Sequence, residues 1–384
     1  MEKQLKDKTL TLFFEGEINS GNASQVEADA LKAIDGQKFE TLCLDFDKIK
    51  YVSSAGLRVV LMLKKRFGDV HVLNVSLEVY DVLQMTGFTE IMDIQKRLAV
   101  VDVTNAELIG EGFFSLVYRI NKDTIIKVFR QRCELPEIQR ELNLAKQAFV
   151  LGIPTAISFD IVKVGDLLGV RFEMLDCASL RDVFRDHPER YDEMVEKYAK
   201  LLLIINNTES LDPSIPSAKD QDLEKIETCR QYLTKQEYEK LKKMIEAIPE
   251  RDTFVHGDCH FKNIMVQGDE LMLIDMDTLS RGHPIFELAA IYSTYIAFEE
   301  DTPGNNLAFL GLPSELTSRI FHDVLRIYLK DLDDLKYKKI GLLSYAHMIW
   351  WTMANTPDDT HRRDGNLKRL KALLKEIDDL DIGI

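Results

Sequence analysis

The segment FVHGDCHFKNIMVQGDELMLIDMDTLS, residues 254–280, constrains the fold of this chain more than any other stretch. Its two apolar runs, IMVQ and ELMLI, have the length and composition of β-strands, and the Gly-Asp pair between them is a favoured two-residue hairpin turn. Asn263 precedes the first run and Asp275 follows the second. Since an antiparallel hairpin brings its outer ends together, the sequence predicts that Asn263 and Asp275 lie side by side, with Asp258 on the preceding loop.

Two carboxylates and an amide that converge in this way provide the hard oxygen ligands that Mg²⁺ prefers. The segment therefore predicts a magnesium site suited to nucleotide phosphates. The alternative is a polar loop beside a hairpin that binds no metal. The upstream sequence favours the metal site, because a glycine-rich turn and a strand lysine precede it in the order that a nucleotide site requires.

The glycine-rich turn belongs to ELIGEGFFSLVYRI, residues 107–120, which predicts a strand, a turn with Gly110 and Gly112, and a second strand. A third strand, DTIIKVF, carries Lys127. Glycines let backbone N–H groups approach phosphate oxygens, and a strand lysine can reach the same phosphates. A plain hairpin with an exposed lysine is the alternative that this segment alone leaves open.

A helix is predicted after Lys127, in ELPEIQRELNLAKQAFVLGIP, and Glu141 faces partly inward on it. The predicted apolar stripe consists of Ile138, Leu142, Ala145 and Phe149. An inward carboxylate needs a cation, and Lys127 is the obvious candidate. Two alternatives remain: Glu141 is solvated at the edge of the stripe, or Glu137 is the partner of the lysine.

The order GxGxxSxV, Lys127, Glu141, HGDxxxxN and IDxD resembles the protein-kinase-like fold of aminoglycoside and choline phosphotransferases, over residues 105–384. The resemblance implies a β-rich N-terminal lobe at about 105–174 and a helical C-terminal lobe at about 175–384, with ATP between them. It also implies that Lys127 contacts the nucleotide phosphates and that Glu141 positions Lys127.

The same resemblance assigns roles to residues around the hairpin. It implies that Asn263 and Asp275 hold Mg²⁺, with Asp277 as a further acidic candidate. It implies that Asp258 orients the acceptor hydroxyl and takes its proton, while His256 braces the loop. Further nucleotide contacts are implied for Gly110, Gly112, Ser115, Val117, Glu173 and Met174, the last two in the hinge segment FEMLDC, residues 172–177.

The acceptor is expected to be a small hydroxylated molecule. Only twelve positions separate Asp275 from the glutamate of HPIFELA, which leaves little room for the peptide platform of typical protein kinases. We expect the pocket to be formed by helical segments 191–206 and 340–356. Trp350 and Trp351 could contact a cationic group there, although burial in a helix core is the favoured interpretation of this pair.

Residues 1–100 follow a different pattern, in which short strands alternate with amphipathic helices. The strand candidates are TLTLFFEG, TLCLDFD and VHVLNV, and the helix candidates lie in SGNASQVEADALKAID, SSAGLRVVLMLKKRFG and SLEVYDVLQMTGF. The second helix ends in three basic residues before Gly68, which a helix C-terminus favours. This alternation predicts a small α/β layer with helices packed on a sheet.

The motifs GEIN, LDFDKIKYVSSAGLRVV and LEVYDVLQMTGF resemble the STAS domain of anti-sigma factor antagonists, in the order and spacing of that family. In that family, the serine that opens the helix is phosphorylated to release a protein partner, and by motif alignment that serine is Ser54. A helix N-terminus can stabilise a phosphate, although the same serine could act only as a helix cap. The resemblance implies a regulatory or docking domain with a protein partner.

The composition limits the partners. A net charge of −15 disfavours nucleic acid and anionic membrane, and mildly favours a cationic ligand. Five cysteines without a CxxC pair argue against a disulfide framework or a zinc site. The N-terminus lacks the apolar core of a signal peptide, and no apolar run approaches the length of a membrane span. We therefore expect a cytoplasmic protein.

These observations predict an α/β STAS-like domain at residues 1–100, followed by an α+β bilobal protein-kinase-like domain at 101–384. The predicted function is ATP-dependent transfer of a phosphoryl group to a small hydroxylated acceptor. The alternative is a non-catalytic or protein-directed nucleotide-sensing switch that acts in anti-sigma-type regulation through Ser54. Intact Lys127, Asp258, Asn263 and Asp275 favour turnover, because a mere sensor has no need of Asp258.

Overall fold

The computed structural model describes residues 1–112, 115–131, 135–175, 177–210 and 212–384. Phe113 and Phe114 of the glycine-rich turn, Cys133, and Asp176 of the hinge segment lie outside the described residues. The chain divides into two compact units, Met1–Asp102 and Val103–Ile384.

The first unit is a five-stranded sheet with helices in the connections between its parallel strands. The elements are β1 (Glu2–Lys6), β2 (Thr9–Ile18), α1 (Ala23–Ile34), β3 (Thr41–Val52), α2 (Ser54–Phe67), β4 (Val70–Val75), α3 (Leu77–Met85), β5 (Ile94–Lys96) and β6 (Ala99–Val100). The sheet order is β1-β2-β3-β4-β5, with β1 antiparallel to β2 and the other neighbours parallel. The predicted α/β layer is confirmed.

Strand β1 has no counterpart among the predicted strands, because all five of its residues are exposed and none alternates with buried positions. It pairs with β2 through a two-residue turn at Asp7 and Lys8, both of which have positive φ. That conformation matches the twist of an antiparallel hairpin. The core of this unit instead contains residues such as Leu10 and Leu12 of β2 and Leu42 and Leu44 of β3, all fully buried.

The second unit begins with an antiparallel sheet and one long helix. The elements are β7 (Glu107–Glu111), β8 (Ser115–Arg119), β9 (Thr124–Phe129), α4 (Leu135–Val150), β10 (Ser158–Val164) and β11 (Leu167–Glu173). These strands are ordered β10-β11-β9-β8-β7, so β9 lies between two neighbours. This position holds the side chains of β9 in a fixed register against β8 and β11.

One part of the helix prediction is wrong. Ile138, Leu142 and Ala145 of α4 are buried as predicted, but Phe149 is 46% exposed. The buried stripe ends on Ala148, and the next residue of a helix points about 100° away from it.

The rest of the second unit is mainly helical. The elements are β12 (Ala178–Ser179), α5 (Leu180–Asp186), α6 (Tyr191–Asn207), α7 (Ala218–Ile226), α8 (Lys235–Glu246), β13 (Phe254–Val255), β14 (Ile264–Gln267), β15 (Glu270–Leu273), β16 (Ser280–Arg281), α9 (Ile285–Tyr292), α10 (Phe298–Asp301), α11 (Ser314–Leu329), α12 (Asp334–Asn355) and α13 (Thr360–Glu376). Two π-helical turns, Ser293–Ala297 and Asn306–Leu310, flank α10. None of the described helices is both long enough and apolar enough to cross a membrane.

Candidate active site

The β14–β15 hairpin places two of the candidate metal ligands. Ile264 pairs with Leu273, and the N–H of Ile274 donates to the carbonyl of Asn263 at 2.9 Å. Asn263 and Asp275 therefore lie at the same end of the hairpin. Asp275 has a φ of 67°, in the left-handed region that non-glycine residues rarely adopt. Strained backbone of this kind is concentrated at functional sites.

Asp258 contacts this end of the hairpin from the loop of residues 256–263, here called the HGD loop. The Nδ2 group of Asn263 donates to Asp258 Oδ2 at 2.9 Å and to the Asp258 carbonyl at 3.1 Å. The Asp258 side chain is 40% exposed, so a ligand can reach it from solvent. Enclosure by the surrounding protein and the charge of Asp275 raise the pKa of Asp258 to about 7. A carboxyl group with such a pKa suits proton transfer near neutral pH.

Lys127 connects the sheet to this site. It projects from β9, and its Nζ lies 3.0 Å from Glu141 Oε1 on α4 and 2.6 Å from Asp275 Oδ1. The Lys127 and Glu141 side chains are each only 13% exposed. Burial lowers the pKa of Lys127, but the Asp275 and Glu141 carboxylates more than offset this effect and raise the pKa overall. The ammonium group is therefore firmly charged, and Glu141 is its partner on α4.

The residues of the glycine-rich turn lie across the sheet from Lys127. Val117 on β8 pairs with Lys127 on one side and with Gly110 of β7 on the other. The N–H of Gly112 donates to the carbonyl of Ser115 at 2.9 Å, and Ser115 is buried. These four nucleotide-contact candidates therefore lie on adjacent strands and on their connecting turn.

The two hinge candidates lie at the end of β11. The N–H of Glu173 donates to the carbonyl of Ile157, and the N–H of Met174 donates to the carbonyl of Asp123, both at 2.9 Å. These two backbone donors are therefore engaged within the protein. An adenine contact at these positions would have to use their carbonyl oxygens or side chains.

The buried carboxylate of Glu287 holds the backbone at the start of the HGD loop. Glu287 on α9 accepts the N–H of His256 at 2.5 Å and that of Gly257 at 3.2 Å. Complete burial raises the pKa of Glu287 to about 7, although these backbone donors oppose the shift. His256 is also fully buried, and its Nδ1 accepts the N–H of Asp258 at 3.2 Å. Burial lowers the pKa of His256 to about 4, so the ring is neutral and can accept this bond.

Two buried tyrosines also hold the loop, and no sequence motif marks them. Tyr295, in the π-helical turn after α9, accepts the N–H of Phe261 at 2.9 Å. Tyr198 on α6 donates to the carbonyl of Cys259, and the two tyrosine hydroxyls lie 3.2 Å apart. Nothing in a single tyrosine within a helical pattern distinguishes a loop support from an ordinary core residue.

Asp277 lies on the segment that follows the hairpin, and the residue is exposed to solvent. Desolvation by the surrounding protein atoms and the charge of Asp275 nevertheless raise the pKa of Asp277 to about 7. Among the described residues, no group of three or more His, Cys, Asp or Glu side chains is arranged to hold a metal by itself. The donors at this end of the hairpin are the carboxylates of Asp258 and Asp275 and the amide of Asn263.

The tryptophan pair of α12 already has cationic partners within the chain. Lys225 Nζ lies 5.4 Å from the Trp350 ring, and the Arg362 guanidinium lies 5.5 Å from the Trp351 ring. Phe298 packs edge-on against Trp351 at 4.8 Å. Both tryptophans are half-buried, so they are neither full core residues nor a vacant cage for a ligand cation.

Ser54 lies in the first unit, at the first residue of α2. The capping role belongs to its neighbour, because Ser53 accepts the N–H of Gly56 at 3.4 Å. Ser54 itself is exposed, as is Arg58 one turn further along the helix. A group attached to Ser54 would therefore project into solvent at a helix N-terminus.

Comparisons with known proteins divide the chain in the same way. The model of the phosphotransferase enzyme family matches residues 105–313, which is more than half of the chain, and the STAS domain model matches residues 1–100. BtrV of Bordetella bronchiseptica, provisionally named an anti-sigma factor antagonist, is 33% identical over 93 residues, which cover 23% of this chain and 78% of BtrV.

Solved structures similar to this chain include two phosphotransferases. A choline/ethanolamine kinase family protein from Mesorhizobium loti is 13% identical, with a TM-score of 0.46, over 70% of this chain and 88% of that one. The ternary complex of streptomycin, ATP and APH(2″)-IIa is 13% identical, with a TM-score of 0.45, over 77% of this chain and 99% of that one.

Proposed function

Because the chain belongs to the phosphotransferase enzyme family, with a STAS domain at residues 1–100, we propose that it transfers the γ-phosphoryl group of ATP to a hydroxyl group of a small acceptor. The observation that carries this proposal is the convergence of Lys127 from β9, Glu141 from α4, Asp275 from the hairpin and Asp258 from the HGD loop. Phosphoryl transfer depends on positioning and charge stabilisation, and these side chains provide both.

The nucleotide phosphates are assigned to Lys127 and the glycine-rich turn. Lys127 remains protonated, since two carboxylates raise its pKa, so it offers a permanent positive charge. Glu141 fixes the direction of the lysine at 3.0 Å. Gly110 and Gly112 lack a Cβ, which lets phosphate oxygens approach the backbone of β7 and its turn.

The donor set fits Mg²⁺. Two carboxylates and one amide cannot fill an octahedral shell, but Mg²⁺ characteristically binds one or two carboxylates together with substrate phosphates. Asn263 and Asp275 would hold the ion, with Asp277 as a further candidate. When bound, the ion would supply positive charge that offsets the negative charge of the nucleotide phosphates.

Asp258 is assigned to the acceptor hydroxyl. Asn263 holds its Oδ2, and its exposed edge remains open to solvent. As the bond between the γ-phosphorus and the oxygen of ADP breaks, a bond from the acceptor oxygen to phosphorus forms, and the hydroxyl proton passes to Asp258. Because the segment between Asp275 and α9 is short, a small acceptor fits this site better than a protein.

The proposal is tested with Asp258→Asn and Asp275→Ala. Asp258→Asn should lower kcat roughly a hundredfold or more and leave Mg-ATP binding nearly intact, since it removes only the proton acceptor. Asp275→Ala should also weaken Mg-ATP binding, by about tenfold or more, because it removes a ligand and a partner of Lys127. Phosphate transfer from labelled ATP to a panel of hydroxylated amines, sugars and acids, together with ATP titrations, measures both effects.

The control for these variants is Asp269→Asn. Asp269 lies in the turn of the same hairpin, and its side chain is 99% exposed, so this change should leave both quantities unchanged. Wild-type turnover in both Asp258→Asn and Asp275→Ala would show that the active site is elsewhere.

For the STAS domain, we infer a docking role in which any modification of Ser54 is made by a separate kinase and not by this chain. A helix N-terminus stabilises a phosphate by only about 0.3–1 kcal/mol at the surface, to which Arg58 could add a charge pair. Incubation of the full chain with ATP and Mg²⁺, followed by phosphosite mapping, tests this assignment. Stoichiometric phosphate on Ser54 that disappears in Asp258→Asn would overturn it and favour the self-acting switch.

A further inference from the structure

Lys262 is a charged residue of the HGD loop that the proposed reaction leaves unused. It follows Asp258 by four positions, and its side chain is half-buried. Its Nζ donates to the carbonyl of Phe309 at 3.0 Å and lies 4.5 Å from the centre of the Phe309 ring. Lys262 therefore joins the HGD loop to the turn that carries Phe309.

Phe309 belongs to the π-helical turn Asn306–Leu310, and it presents apolar surface beside Asp258. Phe309 is 49% exposed, and its neighbour Leu307 is 61% exposed. The Phe309 ring meets the buried His260 ring edge-on at 5.7 Å, and His260 Nε2 lies 3.6 Å from Asp258 Oδ1. One side chain therefore separates this apolar surface from the carboxyl group assigned to the acceptor.

Lys262 forms no ion pair with a carboxylate of the described residues. Among the residues that the structure describes, no acidic oxygen lies within 4.0 Å of its Nζ. The other cation beside it, Arg181, donates to Asp182 Oδ1 at 2.8 and 3.0 Å and is thus paired.

We propose that Lys262 and Phe309 form an acceptor subsite, in which Lys262 binds an anionic group of the acceptor and Phe309 contacts an apolar part beside it. This inference rests on the proposed function, because it names the class of molecule that Asp258 would orient. The acceptors are then hydroxylated carboxylic acids or phosphate monoesters. The cationic ligand that the net charge favours is not expected at this site.

The donor count of Lys262 supports this assignment. An ammonium group has three N–H donors, and within the described residues only one of them has an acceptor, the Phe309 carbonyl. A carboxylate or phosphate beside Lys262 would gain charge-assisted hydrogen bonds. Lys262 would repel a cationic acceptor at the same place, because like charges repel each other more strongly where solvent is partly excluded.

The first experiment measures protection of Lys262 and needs no turnover. The full chain is treated with formaldehyde and borohydride, and methylation of Lys262 is followed by mass spectrometry. The probes share a three-carbon hydroxylated skeleton: glycerate, sn-glycerol 3-phosphate, glycerol and 2-amino-1,3-propanediol. We expect glycerate or glycerol 3-phosphate to slow methylation of Lys262 but not of the exposed Lys200 on α6. Protection by neither anion, or stronger protection by the amine, would overturn the proposal.

The second experiment measures phosphate transfer from ATP with the same probes. In the wild type, the anionic probes should have a kcat/KM at least about tenfold above those of glycerol and the amine, which is the size of one charge contact. Lys262→Met should abolish this preference, whereas Lys200→Met should preserve it. Phe309→Ser should preserve the preference for the anionic probes over the amine, because it leaves the side chain of Lys262 in place. A Lys262→Met enzyme that keeps the preference, or one that loses only ATP affinity, would contradict the subsite.

The two proposals fail in different ways. If the chain binds no Mg-ATP and transfers no phosphate while the anions still protect Lys262, the proposed function is wrong and the anion site stands. If phosphate transfer occurs but favours the amine, the proposed function stands and the subsite is wrong.

Discussion

The candidate functional residues of the two units are held in opposite ways. Ser54 is exposed at the start of α2, and the side-chain contact beside it is local, the cap that Ser53 makes to the N–H of Gly56. Asp258 lies on a loop whose backbone is bound by Glu287 and by two tyrosines from distant parts of the chain. An exposed serine is accessible to another protein, whereas a carboxylate held in a fixed position is suited to bind and orient a substrate.

The comparison predicts which of the two units a mutation destabilises. The two tryptophans of the chain, Trp350 and Trp351, both lie in α12 of the second unit, so tryptophan fluorescence reports unfolding there. Changes around Asp258 should appear in that signal, and changes around Ser54 should not. Each prediction below tests this division.

The largest effect is expected from Glu287→Ala. The change leaves the N–H groups of His256 and Gly257 buried without their acceptor, which should cost about 2–4 kcal/mol of unfolding free energy. Because these two residues precede Asp258, phosphate transfer should fall together with stability. Urea titration followed by tryptophan fluorescence measures the loss.

The control for this change is Glu239→Ala, since Glu239 is exposed on α8. It should shift the urea midpoint little. A Glu287→Ala protein as stable as this control would show that the loop is held without the carboxylate.

A smaller effect is expected from Tyr295→Phe, which removes the acceptor of the Phe261 N–H. One buried donor without a partner should cost about 1–3 kcal/mol. Since Phe261 lies between Asp258 and Asn263, we expect kcat to fall more than KM for ATP rises. Tyr292→Phe is the matched control, because the Tyr292 hydroxyl contacts the hydroxyl of Tyr345 and not the loop. Equal kcat values for the two variants would contradict a positioning role for Tyr295.

The sequence predicts well whatever depends on neighbouring residues. The resemblances to the STAS domain and to the kinase-like phosphotransferases are confirmed. The hairpin turn and the end of α2 at Gly68 follow from local rules, and for this reason the sequence alone suffices to place Asn263 and Asp275 at the same end of the hairpin.

What the sequence does not reveal depends on distant contacts or on the absence of a pattern. Tyr198 and Tyr295 reach the HGD loop across 61 and 34 residues of chain, and neither contact has a local signature. Strand β1 is exposed throughout, so it shows no alternation of buried and exposed residues. The prediction for Phe149 is wrong because the spacing of apolar residues predicts which face of a helix is buried. It does not predict how far along the helix the protein packed against that face extends.

The third prediction concerns pH and His256. Its folded-state pKa of about 4 lies below the ordinary value of 6.5, so the unfolded chain binds the proton first as the pH falls. The stability that neutral His256 contributes is present above about pH 6.5 and is lost as the pH drops toward 4. At about pH 5.5 the loss should be roughly 1.3 kcal/mol relative to about pH 7.5.

The measurement compares wild type with His256→Gln at both pH values, because Glu287 and other groups titrate in both proteins and largely cancel. The difference in unfolding free energy between wild type and His256→Gln should become smaller at the lower pH, or the variant should become the more stable protein there. His361→Gln, a change at an exposed position, should show no such dependence. A gap of the same size at both pH values would mean that His256 does not resist protonation.

The smallest effects are expected in the first unit, from Ser53→Ala and Ser54→Ala. Ser53→Ala removes the cap of α2, and the long 3.4 Å contact with Gly56 puts the cost at about 0.5–1 kcal/mol. Ser54→Ala should cost nothing or stabilise slightly, because the side chain is exposed and alanine is the better helix former. Hydrogen exchange of peptides from β3 and α2 measures both changes, while the tryptophan transition should stay fixed. If Ser54→Ala proves the more destabilising change, then Ser54 supports the fold, and its display as a free docking residue is wrong.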